Sequence, residues 1–156
     1  RVHKRLMDED LNHHIFIIGI GEEKDKIQRY IDENHLNDSF SFLGFKDNPY
    51  KYMSKCDLYV CSSRREGFST AVTEALIIGL PVVSTECSGA KELLGYNNEY
   101  GIVVENSEEG IYKGLREMII NKQMLKDYKE KAKSRGSSFE KSKTVKKVEE
   151  LLDTIS

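Results

Sequence analysis

Short apolar runs rich in β-branched residues alternate with segments of helical periodicity along most of this chain. The run at residues 15–21 ends in glycines, which is typical of a strand buried on both faces of a parallel sheet. Further strands are predicted at residues 41–45, 58–62, 82–85 and 101–104. Helices are predicted at residues 2–11, 22–34, near Pro49, and at residues 71–78, 90–94, 106–120, 123–133 and 141–155.

Strands that alternate with helices of this length call for a parallel sheet that helices cover on both faces. The predicted fold class is therefore α/β, a doubly wound parallel sheet in a single domain over residues 1–156. Asn106 with Glu109 three residues later resembles a capping box, and Gly79 followed by Pro81 is typical of a helix end. The only loose segment is predicted at residues 134–138.

The composition excludes several classes of function. A net charge of −2 and a pI near 6.1 argue against nucleic acid as the main partner. The three cysteines form no CxxC pair, so neither a disulfide framework nor a zinc site is indicated. The longest apolar runs fall far short of the roughly 20 residues that span a bilayer. We expect a cytoplasmic protein, with peripheral contact at the inner membrane face left open.

The turn predicted after the third strand holds two carboxylates, Glu66 and Glu74, separated by seven residues. Gly67 allows close backbone approach, and Ser69 or Thr70 can cap a helix whose N-terminal amides favour a phosphate. If all eight steps were helical, the carboxylates would lie about 12 Å apart along the axis, near the span from sugar to ribose across a pyrophosphate. The spacing alone fits two ordinary solvated acids equally well.

Residues 62–85 resemble the donor-site segment of the retaining glycosyltransferases of the group-1 type, family four, whose GT-B fold pairs two Rossmann-like domains. The E-x7-E pattern, alanine-rich helix and G-x-P-V-V strand of that family are matched at Glu66, Glu74, Ala75, Gly79, Pro81, Val82 and Val83. The resemblance covers about residues 10–120. It implies a Rossmann-like C-terminal domain that binds the donor, one half of a GT-B fold, with the acceptor domain outside this chain.

The resemblance also implies roles for residues at the predicted strand ends. Glu66 is the catalytic candidate, placed at the transferred sugar, and Glu74 holds the ribose hydroxyls. The other donor-binding candidates are Gly67, Phe68, Ser69, Thr70, Gly19, Gly21, Glu22, Gly44, Phe45 and Lys46. The donor is a nucleotide diphosphate sugar of UDP or GDP type, and neither a cofactor nor a metal is expected.

The chain departs from the family pattern at its front. The family usually supplies an Arg and a Lys ahead of the first strand to neutralise the departing diphosphate, and this chain begins after that point. Arg64, Arg65 and Lys91 lie nearby but are not obvious substitutes, and a surface or strand-edge role is favoured for His13 and His14. We therefore expect weak donor binding and no turnover by the isolated chain, because the leaving group lacks its main charge stabilisation.

The function expected for the full-length protein is transfer of a sugar, with retention, to a glycan or lipid-linked acceptor in bacterial cell-surface polysaccharide synthesis. Two alternatives stay open: a nucleotide-sugar epimerase of the same fold, and a non-catalytic module that binds nucleotide sugars. A nicotinamide site at Gly19 and Gly21 is disfavoured, because Lys24 stands where the third glycine of G-x-G-x-x-G belongs.

Two further segments have a functional and a plain interpretation. The turn at residues 88–92 follows the fourth strand and is either a donor-sugar loop or a plain connection. Residues 122–147 carry ten basic against three acidic residues, which fits membrane contact, although a solvated helix face is the better interpretation.

Overall fold

The computed structural model describes residues 1–65 and 67–139. The chain divides into two compact units, the first running from Arg1 to Tyr52 and the second beginning at Met53. Each unit contains parallel strands that alternate with helices, as the apolar runs predict. The α/β class is thus confirmed. The single-domain organisation stays a prediction, and the helix predicted at residues 141–155 lies outside the described residues.

The first unit is built on one pair of parallel strands. The strand β1 (Ile15–Ile18) pairs with β2 (Phe40–Gly44), and the register shifts between Ile17 and Ile18 so that Ile18 lies opposite Gly44. The helices of this unit are α1 (Val2–Asp8) and α2 (Lys24–Glu33). The short helix α3 (Tyr50–Met53) follows, at the point in sequence where the units divide.

The second unit contains three parallel strands in the order β3 (Tyr59–Cys61), β4 (Val82–Thr85) and β5 (Ile102–Val104). The central strand β4 is buried along its whole length. The helices are α4 (Thr70–Ile78), α5 (Ala90–Leu94), α6 (Glu108–Ile120) and α7 (Lys122–Gly136). The first three pack on the strands, and α7 packs on α4.

The strand β1 is shorter and more exposed than its apolar run predicts. It ends at Ile18, and the side chain of Phe16 is 49% exposed. The Phe16 ring instead stacks on the imidazole of His14, with 4.4 Å between the ring centroids. The prediction of a strand buried on both faces is therefore wrong for β1, although it holds for β4.

The start of α6 differs from the predicted capping box. The cap is Ser107, whose Oγ accepts a hydrogen bond from the Gly110 amide at 3.0 Å. The neighbouring Asn106 does not cap, because its amide group donates to the carbonyls of Arg64 at 2.9 Å and Glu86 at 3.4 Å. Asn106 and Ser107 are both suited to cap α6. Hydrogen bonds from Asn106 to residues distant in sequence leave Ser107 as the cap.

The segment predicted as loose, residues 134–138, is ordered in the structure. The helix α7 continues to Gly136, and a 3-10 turn follows at Ser137–Phe139. A Cβ atom at Gly136 would lie 2.2 Å from the Leu76 carbonyl oxygen and 2.6 Å from the Ile77 Cα. Glycine is needed there because the backbones of α4 and α7 approach closely, and not because the chain turns.

Candidate functional site

The loop between β3 and α4 carries the predicted donor-site residues Gly67, Phe68 and Ser69, and side chains from neighbouring elements hold its backbone. Thr85, at the end of β4, donates from its Oγ1 to the Ser63 carbonyl at 2.6 Å. Asn106, just after β5, donates to the Arg64 carbonyl at 2.9 Å. The carboxyl ends of parallel strands are where α/β sheets bind ligands, so this loop is fixed at the functional edge of the second unit.

The sequence offers Ser69 or Thr70 as the cap of the helix α4. Ser69 is the N-cap, and its Oγ accepts a hydrogen bond from the Val72 amide at 3.3 Å. Thr70 is the first helical residue and is exposed, whereas Glu74, one turn later, is half-buried. Residues four apart lie on one helix face, so Thr70 and Glu74 share a side of α4 at its N-terminal end.

The backbone ahead of α4 packs closely against the next strand-to-helix turn. A Cβ atom at Gly89 would lie 2.9 Å from the Gly67 carbonyl oxygen and 3.2 Å from the Phe68 Cα. Phe68 itself is 52% exposed, so the loop presents its ring to solvent. Only glycine at position 89 lets the turn before α5 and the loop before α4 approach this closely.

Three of the predicted donor-site residues of the first unit gather at the carboxyl ends of β1 and β2. The Gly19 amide donates to the Gly44 carbonyl at 2.8 Å, which joins the two strand ends directly. Both glycines have positive φ, +124° and +69°, and a Cβ atom at either of them, or at Gly21, would meet no atom within 4 Å. This edge therefore offers open backbone that a ligand can approach.

The remaining predicted residues of the first unit lie on the same two loops. Glu22 is exposed, and the ring of Phe45 is 69% exposed. The Lys46 ammonium lies 5.5 Å from the centroid of the Tyr52 ring, a cation–π distance. The loops after β1 and β2 thus present an aromatic ring and charged groups beside bare backbone.

A pocket of about 530 Å³ opens in the second unit between the loops that follow β3 and β4. Its lining residues are Arg64, Arg65, Gly67, Cys87 and Ser88. Both arginines are exposed, and neither has an ion pair within residues 1–65 and 67–139. Two guanidinium groups thus lie at the wall of this pocket. We name it the arginine pocket.

Lys91 forms an ion pair and is not among the described residues that line the arginine pocket. Its ammonium forms a salt bridge with the Glu86 carboxylate, and both groups are about half exposed. Of the three cations weighed from sequence near the diphosphate, the two arginines are among the described residues that line this pocket, and Lys91 is not.

The predicted catalytic residue Glu66 lies outside the described residues, so its role stays a prediction. The helix begins only at Thr70, which leaves four of the eight steps from Glu66 to Glu74 helical. The 12 Å estimate from eight helical steps is therefore wrong in its premise. The other predicted residues form two groups, one in each unit: Gly67, Phe68, Ser69, Thr70 and Glu74 around the start of α4, and Gly19, Gly21, Glu22, Gly44, Phe45 and Lys46 after β1 and β2.

The histidines of the first unit form a structural network. The Nδ1 of buried His3 lies 2.8 Å from the Nε2 of His13, and its Nε2 lies 2.9 Å from the Ser39 Oγ. The His13 Nδ1 in turn contacts the Leu11 carbonyl at 2.7 Å. Burial, and then the neighbouring His13, lower the pKa of His3 to about 4, so its ring is neutral at pH 7. His14 is exposed and contacts Ser41 at 2.9 Å.

Sequence reasoning missed the two residues that fix the loop after β3. Thr85 ends a predicted strand and Asn106 opens a predicted helix, so both were visible at the ligand edge of the sheet. Their acceptors, the carbonyls of Ser63 and Arg64, lie 22 and 42 residues away in sequence. No local pattern encodes such contacts.

Within the described ranges, no three or more His, Cys, Asp or Glu residues are grouped so as to hold a metal ion. The expectation of a metal-independent site stays a prediction. The helices described here also include none that combines the length and the apolar character needed to traverse a bilayer.

Comparison with known proteins identifies the family. The model described as glycosyl transferases group 1 matches residues 1–135. A Campylobacter jejuni protein named N-acetylgalactosamine-N,N'-diacetylbacillosaminyl-diphospho-undecaprenol 4-alpha-N-acetylgalactosaminyltransferase is 40% identical over 131 residues, covering 83% of this chain and 36% of that protein. An uncharacterized glycosyltransferase of Methanocaldococcus jannaschii is 34% identical over 143 residues, covering 81% of this chain and 35% of that protein. The chain thus spans about a third of the length of these curated relatives.

Solved structures agree in fold. The pneumococcal O-GlcNAc transferase GtfA, solved with UDP and GlcNAc, aligns with a TM-score of 0.85 at 15% identity over 99% of this chain and 32% of its own. HepE of Anabaena, solved with UDP, aligns with a TM-score of 0.80 at 22% identity over 97% of this chain and 44% of its own. At such identities the likeness shows the GT-B type of fold alone. The family match over residues 1–135 goes further, and the chain belongs to the group-1 glycosyl transferases.

Proposed function

We propose that the full-length protein transfers a sugar from a nucleotide diphosphate donor, with retention of anomeric configuration, to a glycan or lipid-linked acceptor. The observation that carries this proposal is the start of α4, where the Ser69 cap and exposed Thr70 follow a loop fixed by Thr85 and Asn106. Helix N-termini at the carboxyl edge of a parallel sheet favour phosphate binding. Family membership supplies the class of reaction.

Residues of this chain bind the donor sugar nucleotide. Glu74, half-buried on α4, binds the ribose hydroxyls, and the amides near Gly67 and Ser69 face the diphosphate and sugar. Glu66 supports the sugar as positive charge develops at its anomeric carbon. The leaving diphosphate departs on the face that the acceptor attacks, which gives retention. The loops after β1 and β2 border the base, because their backbone is open and Phe45 is exposed.

The comparisons favour UDP and a lipid-linked acceptor. Both HepE and GtfA were solved with UDP. The Campylobacter relative carries a diphospho-undecaprenol acceptor in its name, and an Erwinia amylovora relative, 34% identical over 89 residues, is named for amylovoran biosynthesis. We infer that this protein acts at the cytoplasmic face of a bacterial membrane, where lipid-linked acceptors are found, and that it binds no cofactor or metal.

The ribose assignment is tested by calorimetric titration of the full-length protein and its Glu74→Ala variant with UDP, GDP and ADP. Loss of charge-assisted hydrogen bonds to two hydroxyls weakens nucleotide binding roughly tenfold to a hundredfold, because such bonds contribute about 1.5–3 kcal/mol. Binding of inorganic pyrophosphate, which lacks ribose, is unchanged. Glu117→Ala, at an exposed position of α6, is the matched control for removal of one carboxylate. Unchanged UDP affinity in Glu74→Ala would contradict the assignment.

The division of labour between domains has its own test. Residues 1–156 alone are expected to bind donor weakly and to show no turnover, because the predicted Arg and Lys that neutralise the diphosphate lie outside them. Turnover by this chain alone, measured as UDP release in the presence of acceptor, would refute that expectation. The anomeric configuration of the product of the full-length protein, read by NMR, decides between retention and inversion.

A further inference from the structure

The guanidinium group of Arg135, in the last turn of α7, caps the C-terminal end of α5. Its Nη2 donates to the Glu92 carbonyl at 2.7 Å, and its Nε donates to the Leu93 carbonyl at 3.0 Å. The last carbonyls of a helix have no partner within that helix, so they need donors from elsewhere. Arg135 therefore supplies two hydrogen bonds that α5 cannot supply for itself.

The other two carbonyls of the last turn are bonded by the chain that follows α5. The Gly95 amide donates to the Lys91 carbonyl and the Tyr100 amide donates to the Leu94 carbonyl, each at 2.8 Å. All four carbonyls at residues 91–94 thus have a donor, and two of these four bonds come from the guanidinium group. A helix of only five residues is not stable by itself, so its placement depends on such contacts.

The guanidinium group of Arg135 is itself held by aromatic rings. Its Cζ lies 5.2 Å from the centroid of the Tyr100 ring and 4.8 Å from the centroid of the Phe139 ring. Arginine is attracted to aromatic faces, and its planar fork donates to two acceptors at once, so the group is pre-organised to hold α5. The helix α7 that carries Arg135 also packs on α4. This side chain thus joins α5 to the helix that supports α4.

The N-terminal end of α5 lies at the candidate site. The turn of residues 87–89 precedes this helix, and a Cβ atom at Gly89 would lie 2.9 Å from the Gly67 carbonyl oxygen. Cys87 and Ser88 of the same turn line the arginine pocket together with Gly67. A helix of five residues is only about 7.5 Å long, because each residue adds about 1.5 Å. A shift at one end of so short an element therefore moves the turn at its other end.

We propose that Arg135 is a positioning residue for the transferred sugar, which holds α5 so that the turn of residues 87–89 keeps its close approach to the loop before α4. This inference rests on the proposed function, in which the amides near Gly67 face the diphosphate and sugar. In that function the nucleoside is bound by Glu74 and by the loops after β1 and β2. Loss of the guanidinium bonds therefore weakens the fit of the sugar and leaves binding of the nucleotide in place.

The first test is calorimetric titration of variants of the full-length protein with UDP, UDP-glucose and UDP-N-acetylgalactosamine. In Arg135→Gln we expect the affinity for a sugar donor to fall about tenfold, while the affinity for UDP changes by less than about twofold. Arg135→Lys keeps the charge without the planar fork, so it is expected to retain an intermediate affinity for the sugar donor.

Tyr128→Phe is the matched structural control. The Tyr128 hydroxyl donates to the Asn98 carbonyl at 2.9 Å, so this variant also loses a bond from α7 to the chain just after α5. It is expected to lower the temperature of thermal unfolding, as Arg135→Gln does, and to keep the affinity for sugar donors. Lys126→Gln, at an exposed position of α7, controls for the loss of one positive charge.

Amide NMR spectra of the full-length protein give a second readout that needs no ligand. In Arg135→Gln the resonances of Gly67 and Phe68 are expected to shift together with those of residues 87–89, whereas in Tyr128→Phe those of Gly67 and Phe68 stay in place. Unshifted Gly67 and Phe68 resonances in Arg135→Gln would overturn the proposal.

The titration can also overturn the proposal. An equal loss of affinity for UDP and the sugar donors in Arg135→Gln, or no loss for either, would show that Arg135 does not position the sugar. A wild type that binds none of the three nucleotides would instead refute the proposed function. The NMR result distinguishes that outcome from a failure of Arg135 to hold the turn.

Discussion

The two units of this chain are stabilised in different ways. Among the described residues, the first unit buries only three apolar side chains, Leu6, Ile31 and Leu36, whereas the second buries eighteen. The strand β4 of the second unit is buried throughout, while β1 and β2 are half-buried and β1 exposes Phe16. In the first unit, the network of His3, His13 and Ser39 links α1 to the residues that precede β1 and β2.

We infer from this difference that the second unit is the more rigid of the two and that the first unit adapts more readily. Ligand-binding loops are commonly drawn from the less stable parts of a fold, because they have to move. The second unit carries the anchored loop before α4 and the arginine pocket, which need fixed geometry. The first unit carries the open glycines at Gly19, Gly21 and Gly44. We therefore expect its amides to exchange with solvent through smaller opening free energies than those of β4 and α4.

The largest effect is expected from truncation of the apolar core of the second unit. Leu76 in α4 is fully buried, so Leu76→Ala is expected to lower the free energy of unfolding of this unit by about 3 kcal/mol through lost burial and a residual cavity. Residue-resolved hydrogen exchange measures the change in each unit. Ile17→Ala, on half-buried β1, is the comparison and is expected to cost about 1 kcal/mol. Equal losses of unfolding free energy in the two variants would contradict the inferred difference in stability between the units.

The second effect probes the close approach of α7 to α4. Gly136→Ala would place a Cβ atom 2.2 Å from the Leu76 carbonyl oxygen, and neither backbone can yield cheaply. We expect a loss of roughly 1–3 kcal/mol, despite a gain of at most about 1 kcal/mol from the higher helix propensity of alanine at this last residue of α7. Urea denaturation of the wild type and the variant measures this change in the free energy of unfolding. A stabilised variant would show that helix propensity prevails and that the packing is looser than described.

The smallest expected effect is a loss of stability of the first unit at acidic pH. The pKa of His3 is about 4 in the folded protein and near 6.5 when exposed, chiefly because the ring is buried. The unfolded chain therefore binds a proton more readily, and the stability that neutral His3 contributes is present above pH 6.5 and lost as the pH falls through 4. Discounted for solvent screening through half-buried His13, the loss amounts to roughly 1–2 kcal/mol.

Hydrogen exchange of the first unit, measured between pH 7.5 and 4.5 and corrected for intrinsic rates, tests this dependence. His3→Gln removes the titrating ring and is expected to flatten the pH dependence of the opening free energy. His35→Gln, at an exposed position, leaves it in place. The same dependence in the second unit, whose described part contains no histidine, would show that the buried ring is not its source.

Sequence reasoning predicts most of the elements because their signals are local. The β-branched run at Val82 and Val83 identifies the buried strand, and Gly79 with Pro81 marks the end of α4, where Gly79 adopts a φ of +82°. The sequence offers Ser69 or Thr70 as the cap of α4, and the hydrogen bond to the Val72 amide identifies Ser69. These features depend on neighbours within a few residues, so a single sequence is sufficient to find them.

The errors arise where distant residues decide between local alternatives. Asn106 and Ser107 are both suited to cap α6, and the carbonyl of Arg64, 42 positions earlier, draws Asn106 away. Gly136 suggests a loose segment, but α7 continues to Gly136, where the close backbone of α4 requires glycine. His3 and His13 meet across ten residues without a recognisable pattern. The sequence therefore names candidate site residues as a prediction, whereas the contacts that fix the geometry of the loops cannot be predicted from it.

The anchoring of the loop before α4 has a consequence for which of its residues can be substituted. Thr85 and Asn106 bind main-chain carbonyls, and neither bond uses the side chains of residues 64 and 65. Substitutions at those two positions therefore alter the chemistry of the pocket wall without altering the path of the chain. The side chains at residues 64 and 65 can therefore vary, by selection or by engineering, while Thr85 and Asn106 preserve the backbone conformation of the loop.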